Sequence, residues 1–388
     1  MRRSYSTITP VVVRQTACHA LQQALPWKPF GRLVTVNRLL SLLLLAAALR
    51  SSISALVRRF RFGFSHETAR QALDANLPLQ DQLTNGLVDA LYLFGGSRWR
   101  KRKRPWDVAI DLHYCPFYGD RRTSGIVGGQ KKQGSKYHYA YATALLIHRR
   151  HRYTVGLLAL ERKYKPHEVV AALLAQLDRH GLKLRGVVLD SGFDSGETLL
   201  LLQGRGLSYT VPLRKKGKGT NRRNACFALP LGTITAVDWV TEESRKPVRT
   251  QAVVLRRPGE EGVKVYAFGG WGAPEEARVR QRAQLAKRAY RRRFGIETSY
   301  RQQNQGKART TKKDVVYRLL LIGLALLLRQ VWVYLSGQLA QTLGLRPTAW
   351  VRDLPLQRVL EWLADTLKAR YRETKSINLG QPLLPLGV

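Results

Sequence analysis

Acidic residues are scarce in this sequence. Its 388 residues include 66 Lys and Arg but only 26 Asp and Glu, which gives a formal net charge of +40 at pH 7. An excess of this size must lie on the surface, where its natural partner is a polyanion. Nucleic acid is the first candidate for that partner, and an anionic membrane surface is the second.

Cysteine is also scarce, with Cys18, Cys115 and Cys226 far apart in the chain. The three residues show no zinc-site spacing, and an odd number gives no indication of a disulfide framework. We therefore expect a reducing compartment, which for a DNA-binding protein means a cytoplasmic, nucleoid-associated location.

Long hydrophobic runs are few. The run at 39–49 has about half of the ~20 residues that a membrane span needs, and Arg329 interrupts the run at 319–335. Both runs are predicted to form buried core helices. Because Arg14 breaks the apolar stretch behind the first basic residues, no signal peptide is expected, and a membrane is not among the predicted partners.

Hydrophobic residues make up 44% of the chain, enough to bury real cores, and the length suits two or three domains. Shifts in composition predict a helical region at 1–97, a basic linker at 98–105, an α/β core at 106–214 and 274–340, a β insertion at 215–273, and a C-terminal helical region at 341–388 that is a candidate for dimerisation.

The segment 50–77 has the pattern of two helices with a tight turn between them. Gly63 lies in the turn, and Ser65 is placed to cap the second helix. This layout is typical of a helix-turn-helix, whose second helix lies in the DNA major groove. Plain packing of two helices explains the pattern equally well.

The segment 98–105, RWRKRKRP, has six basic residues among eight. Such a run is either a solvated linker or a clamp for DNA phosphates. The candidate DNA-binding residues in it are Arg100, Lys101, Arg102, Lys103 and Arg104.

From residue 106 the pattern changes to an α/β order. Strands are predicted at 106–119, 136–148 and 152–162, then a helix at 165–181, a strand from 184 to Asp190, a helix at 195–206 and a strand at 208–214. This order predicts one mixed sheet flanked by helices. Three β-rich stretches at 232–240, 248–257 and 263–270 form the predicted insertion.

Three carboxylates stand out against the basic background. Asp111 lies midway along the first strand, Asp190 ends an apolar strand, and Glu297 follows a run of arginines on a predicted helix. A carboxylate in or at the end of a buried strand is costly unless it is paired or binds a metal. The alternatives to metal binding are a hydrogen-bonding role for Asp111, capping of the next helix by Asp190 and surface ion pairs for Glu297.

These carboxylates, two on central strands and one on a later helix, can converge on one point. Oxygen-only ligands suit Mg²⁺, for which Mn²⁺ can substitute. A pair of such ions about 3.5–4 Å apart stabilises both the attacking and the leaving oxygen of phosphodiester displacement. At helical spacing Tyr290, Arg293 and Arg301 share a stripe with Glu297, and the two arginines are expected to hold DNA phosphates.

The same residues resemble a known family. Asp111, Asp190 and Glu297 are placed like the catalytic carboxylates of the DDE transposases of bacterial and archaeal insertion sequences, which have an RNase-H-like core. One large subgroup carries Tyr-x2-Arg-x3-Glu-x6-Lys around its glutamate and a β insertion before it. Tyr290, Arg293 and Glu297 match this signature in type and spacing. The resemblance covers residues 106–335.

This resemblance implies cut-and-paste transposition. Similar proteins cut DNA at the element ends, often through a hairpin, and join the 3′-ends to target DNA. The final Lys of the signature is Asn304 here, so Arg301 or Lys307 is expected to make its contact with the end phosphate. A flipped base is often stacked on an aromatic residue of the insertion. Trp239 is the candidate and Trp271 the second, with packing inside the insertion as the alternative.

Other functions fit parts of the sequence. An RNase-H-like nuclease or resolvase needs the carboxylates but no strand transfer, and a decayed DNA-binding protein needs only the basic surface. Since a transposase joins two ends at once, a homodimer assembled on DNA is expected.

Asp194 follows Asp190 as it often does in similar proteins. His113 and His138 are predicted to be hydrogen-bonded strand residues, and Cys115 a small buried apolar one.

Overall fold

The computed structural model describes residues 7–148, 151–216, 222–256, 262–269, 295–345 and 352–374, together with positions 280, 281, 283, 284, 287, 288 and 290. The backbone of Glu297 belongs to the described part. Its side chain, Arg293 and Trp271 lie outside it.

The described strands form one mixed sheet. They are β1 Trp106–Phe117, β2 Ile126–Lys132, β3 Ser135–His148, β4 His151–Ala159, β5 Leu184–Leu189, β6 Ser208–Pro212, β7 Ile234–Val240, β8 Pro247–Arg256 and β9 Val263–Gly269. The order is β2–β3–β1–β5–β6–β9–β8–β7, and β4 pairs with the second half of β3. Strands β1, β5 and β6 are parallel, and the other pairs are antiparallel. The predicted α/β class with a mixed sheet flanked by helices is confirmed.

The described helices are α1 Pro10–Ala24, α2 Val36–Ala48, α3 Ile53–Arg59, α4 His66–Asn76, α5 Gln80–Tyr92, α6 Gly96–Arg100, α7 Pro166–Arg179, α8 Gly196–Gly204, α9 Arg222–Ala225, α10 Gly295–Gln305, α11 Val315–Thr342 and α12 Leu356–Tyr371. Ser65 accepts a hydrogen bond from the backbone of Thr68 and caps α4, as predicted. Gly63 has φ +82° in the turn before it, a conformation that favours glycine.

The sheet differs from the prediction in two places. A strand that the sequence pattern missed, β2, pairs with the first half of β3. The three strands of the predicted insertion do not form a sheet of their own, because β9 pairs with β6 and so extends the central sheet. The insertion is therefore continuous with the core through backbone hydrogen bonds.

The N-terminal and C-terminal helices pack together. Helix α12 lies against α1 and α2, and the ring of Tyr371 at its end stacks on Phe62 at 4.2 Å between centroids. The apolar side of α12 is buried within the chain. A dimer contact through this helix, as the sequence suggested, has to use its polar side.

The two apolar runs lie in the core. Helix α2 buries Leu39–Ala47 in succession, and α11 contains the run at 319–335. By length and composition α11 could cross a membrane, and α2 with α3 passes the same test as a pair bent by 107°, but 94% of the most apolar window of α11 is buried inside the fold. This burial is what the prediction of a core helix requires.

Candidate active site

Asp111 lies beside Asp190 at the end of the neighbouring strand. Ile110 of β1 pairs with Leu189, the last residue of β5, so Asp111 in β1 is level with Asp190, the first residue after β5. Adjacent strands are about 4.8 Å apart, and alternate residues share a face. Asp111 is two residues beyond Ala109, and Asp190 is two residues beyond Val188. All four side chains therefore lie on the same face of the sheet. Only 6% of Asp111 is exposed, and its Oδ1 accepts a hydrogen bond from the backbone of Leu112 at 2.9 Å.

Helix α10, which carries Glu297, lies over this face. The hydroxyls of Tyr300 and Thr143 are 2.8 Å apart, and Thr143 is the cross-strand partner of Asp111. The ring of Tyr300 also lies 4.6 Å from that of His113. Glu297 is one turn before Tyr300 in α10, so the backbone bearing the third carboxylate is held beside the strand that carries the first.

A buried arginine ties α10 to the core. Arg329 of α11 is 2% exposed and donates hydrogen bonds to Gln302 Oε1 at 3.1 Å and to the carbonyl of Arg152 at 2.8 Å. Burial lowers the pKa of Arg329 to about 10, and the neighbouring charge of Arg152 adds to this shift. In the sequence, Arg329 is visible only as an interruption of an apolar run, and none of its neighbours in the chain indicates its hydrogen-bond partners.

The chain after Asp190 is shaped by a second aspartate. Asp194 is buried, accepts a hydrogen bond of 2.6 Å from the backbone of Arg214, and pairs with the guanidinium of Arg223. Burial raises the pKa of Asp194, while Arg223 and the Arg214 backbone act in the opposite direction. Asp194 therefore holds the loop that follows Asp190 and connects it to α9.

The two predicted strand histidines differ in their surroundings. His138 Nε2 lies 3.1 Å from the carbonyl of Gln130, as the prediction of a hydrogen-bonded histidine requires. His113 is buried, and its Nε2 has no hydrogen-bond partner among the described residues. Burial, with further contributions from Lys307 and Lys132, lowers the pKa of His113 to about 3, so the imidazole is neutral.

Some of the predicted DNA-binding residues surround the carboxylate face. Lys307 is half-buried just after α10 and donates to Cys115 Sγ at 3.6 Å, while Arg301 and Asn304 are exposed on α10. Cys115 is partly exposed, not fully buried as predicted. Tyr290 is buried, with its ring 4.6 Å from Tyr266. DNA contact by any of these residues stays a prediction.

Trp239 is partly buried, and its contacts are those of a packed residue. The guanidinium of Arg223 lies 5.1 Å from the centre of its ring, and a Cβ on Gly196 would lie 3.1 Å from its Nε1. These contacts favour the packing alternative. Stacking of a DNA base on Trp239 stays a prediction.

The basic segment lies away from the aspartates. Helix α6 extends into it, Trp99 is buried, and the guanidinium of Arg102 lies 3.9 Å from the centre of the Trp106 ring. Trp106 begins β1 and is about 17 Å from Asp111 at 3.3 Å per residue, so the cations of 100–104, which precede it, are at the far end of that strand from Asp111.

The chemistry of the site suits a divalent cation. Asp111 and Asp190 supply only oxygen ligands, as Mg²⁺ and Mn²⁺ prefer, and a cation bound between neighbouring carboxylates removes the repulsion between their charges. Among the described residues no group of three or more His, Cys, Asp and Glu could hold a metal ion. That statement does not include the side chain of Glu297, which lies outside the described part of the chain.

The strand order defines the class of the protein. Three parallel strands, β1, β5 and β6, extended on the β1 side by antiparallel β3 and β4, form an RNase-H-like sheet, and the adjacent aspartates lie at its centre.

Comparison with known proteins gives the family. Residues 117–328, more than half of the chain, match the family described as Transposase DDE domain, and the chain belongs to this family. The matched segment includes Asp190 and Glu297 and begins just after Asp111. No curated protein matches the sequence.

A solved structure has a similar fold. The piggyBac transposase synaptic complex with hairpin DNA, determined by cryo-EM, superposes with a TM-score of 0.55 and 11% sequence identity, over 94% of this chain and 81% of that chain. At this identity the similarity concerns the fold.

Proposed function

We propose that this chain is the cut-and-paste transposase of a bacterial or archaeal insertion sequence. It binds the ends of the element, cleaves the DNA there and joins the freed 3′-ends to target DNA. Asp111, Asp190 and Glu297 are its catalytic carboxylates and metal ligands. The observation that carries this proposal is the pair Asp111 and Asp190, adjacent on one face of the sheet beneath the helix that contains Glu297.

The residues of the chain have separate tasks in this mechanism. The strand backbone fixes Asp111, and the Asp194–Arg223 pair fixes the loop after Asp190. The carboxylates of Asp111, Asp190 and Glu297 would hold Mg²⁺ or Mn²⁺, which would supply the charge that activates an attacking hydroxyl and stabilises the leaving oxygen of a phosphodiester. Arg301 and Lys307 hold the phosphates of the DNA end, and a homodimer on DNA supplies two active sites for two ends.

The experiment uses the DNA that flanks the gene. Labelled flanks are incubated with purified protein in Mg²⁺, in Mn²⁺ and in chelator, with Glu297→Gln as the test variant and Glu361→Gln, on the exposed side of α12, as the control. We expect metal-dependent nicking at the border of a terminal repeat, lost in Glu297→Gln and kept in Glu361→Gln, with DNA binding intact in both.

The other results identify the alternatives. Binding without cleavage in either metal indicates a decayed, non-catalytic protein. Cleavage that ignores the flank sequence indicates a nuclease or resolvase. Full cleavage by Glu297→Gln removes this residue from the mechanism.

A further inference from the structure

Asp190 depends for its position on the chain that follows it. It is the first residue after β5, whereas Asp111 lies within β1 and pairs with Thr143 of β3. One turn of 3-10 helix, Ser191–Phe193, comes next, and the backbone N–H of Phe193 donates to the carbonyl of Asp190 at 3.0 Å. The placement of the Asp190 carboxylate therefore depends on what holds this turn and the start of α8.

The turn between β7 and β8, residues 241–246, closes on the first residues of α8. Ser195 caps this helix by accepting a hydrogen bond of 3.1 Å from the backbone of Thr198. A Cβ on Gly196 would lie 2.7 Å from Thr241 Cγ2, well inside the 3.5–4.0 Å at which carbon atoms normally pack. The close approach requires glycine at this position, so the β insertion covers this end of α8.

Glu197 supplies the polar part of the same contact. It is half-buried, and its Oε1 accepts a hydrogen bond of 2.9 Å from the backbone N–H of Glu243 in the β7–β8 turn. Burial raises the pKa of Glu197, but backbone N–H groups, that of Glu243 first among them, and the charge of His167 lower it overall. The carboxylate is therefore charged at neutral pH, and hydrogen bonds to a charged acceptor are the stronger kind.

The β7–β8 turn is itself held firmly. Thr241 Oγ1 accepts a hydrogen bond of 2.9 Å from the backbone of Lys246, and the N–H of Thr241 donates to the carbonyl of Lys246 at 2.9 Å. The ammonium of Lys165, just before α7, pairs with the carboxylate of Glu243. Glu197 therefore joins the start of α8 to a turn that is fixed both internally and to α7.

We propose that Glu197 is a positioning residue for Asp190. Its carboxylate docks the β7–β8 turn on the start of α8, and this contact fixes the turn that carries Asp190 for metal binding. In this way the β insertion contributes to the active site through α8. The proposal rests on the proposed function for the role of the metal, but the docking itself requires neither metal nor DNA.

Two pairs of variants test the proposal. Glu197→Ala removes the acceptor, and its control, Glu168→Ala, removes an exposed carboxylate from the first turn of α7. Gly196→Ala forces the β7–β8 turn away while Glu197 stays in place. Its control is Gly204→Ala at the other end of α8, where a Cβ would meet no atom within 4 Å. Thermal melting shows that each variant is folded.

Two measurements are made on the full chain without DNA. Hydrogen exchange of the peptide that contains residues 190–195 reports local opening of the turn. Titration with Mn²⁺, followed by the electron paramagnetic resonance of the free ion, reports metal binding, with Asp190→Asn as the blank. Neither measurement requires cleavage.

We expect about tenfold faster exchange and about tenfold weaker Mn²⁺ binding in Glu197→Ala and in Gly196→Ala, with both controls unchanged. Glu197→Gln keeps an acceptor oxygen and should recover most of the affinity. Equal values in test and control variants, or no recovery in Glu197→Gln, overturn the proposal. Absence of Mn²⁺ binding by the unchanged protein contradicts the proposed function, and the exchange comparison then still decides whether Glu197 positions the turn.

Discussion

The guanidinium of Arg329 donates a hydrogen bond of 2.9 Å to the hydroxyl of Ser299, two residues after Glu297 in α10. The contact joins the long buried helix α11 to the helix that presents the third carboxylate. A buried cation is costly unless its hydrogen bonds are made, and the bonds of Arg329 to Ser299 and Gln302 both end on α10. We therefore predict that Arg329 is a positioning residue for Glu297.

Arg329→Met tests this prediction against Gln330→Met. Gln330 is the next residue of α11 and is also buried, but it bonds the backbone of Thr154 and Leu91 and not α10. Both variants leave buried polar groups unpaired, at about 1–3 kcal/mol of unfolding free energy. Only Arg329→Met is expected to lower the cleavage rate, by about 100-fold for a displacement near 1 Å. Equal rates in the two variants would show a purely structural role.

The hydrogen bond between Tyr300 and Thr143 predicts a coupling across the active face. Tyr300→Phe and Thr143→Val each remove it, and the Phe keeps the ring against His113. We expect the double variant to be less destabilised than the sum of the single variants by about 1 kcal/mol, the net value of one hydrogen bond. Urea unfolding of the four proteins measures this difference. Simple additivity would mean that the two hydroxyls do not interact in solution.

The buried pair of Asp194 and Arg223 predicts a stability effect. Asp194→Asn leaves the guanidinium of Arg223, with 6% of its side chain exposed, without its charged partner. Breaking such a pair costs about 3–5 kcal/mol, and the midpoint of urea unfolding should fall accordingly. The double variant Asp194→Leu with Arg223→Met should recover part of the loss. Lost metal-dependent cleavage at unchanged stability would instead make Asp194 a ligand.

Residues on the exposed side of α4 can be used to test whether the segment 50–77 recognises DNA or is only a packed pair of helices. Arg70 and Gln71 are exposed there, and Arg70 also pairs with Glu67. If α4 contacts base edges, Gln71→Ala should weaken binding to the terminal repeat by about 1–3 kcal/mol and leave binding to random DNA unchanged. A gel-shift comparison of the two DNAs measures this. Equal affinity for both DNAs in the unchanged protein would favour plain packing.

The basic segment predicts the salt dependence of DNA binding. Each phosphate contact adds about 0.9 to the slope of log K against log salt. Lys101→Gln and Lys103→Gln should each lower this slope by that amount if their ammonium groups bind phosphates. Because the segment is at the far end of β1 from Asp111, the position of the cut should stay unchanged. A slope that does not change would identify 98–105 as a solvated linker.

Much of this fold is visible in local patterns. Alternating β-formers predict β1 and β3, Pro166 and Glu168 mark the start of α7, and Ser65 marks the start of α4, because each signal depends on near neighbours in the chain. Strand β2 has no such signal, since its sequence IVGGQKK ends in glycine and exposed polar residues. The pairing of β9 with β6 joins residues far apart in sequence, and no local pattern indicates it.

The candidate site also contains some residues that could be predicted from the sequence and others that could not. An aspartate in an apolar strand is a strong signal, so Asp111 and Asp190 could be predicted, and their placement side by side follows from the parallel register. The residues that hold the helix of the third carboxylate could not be predicted from the sequence. Thr143, Ser299 and Arg329 are ordinary in sequence, and only packing of α11 against α10 and the sheet brings them to the site.

The packing of α12 on α1 and α2 affects how the protein is made. The backbone N–H groups of Arg61 and Thr374 donate hydrogen bonds across the two ends of the chain, to the carbonyls of Tyr371 and Arg59, so the contacts of α1 and α2 with α12 form only after the last helix has left the ribosome. Contacts this distant in sequence form late and slowly. The part of segment 50–77 around Arg59 and Arg61 therefore completes its native contacts only after synthesis has passed residue 374.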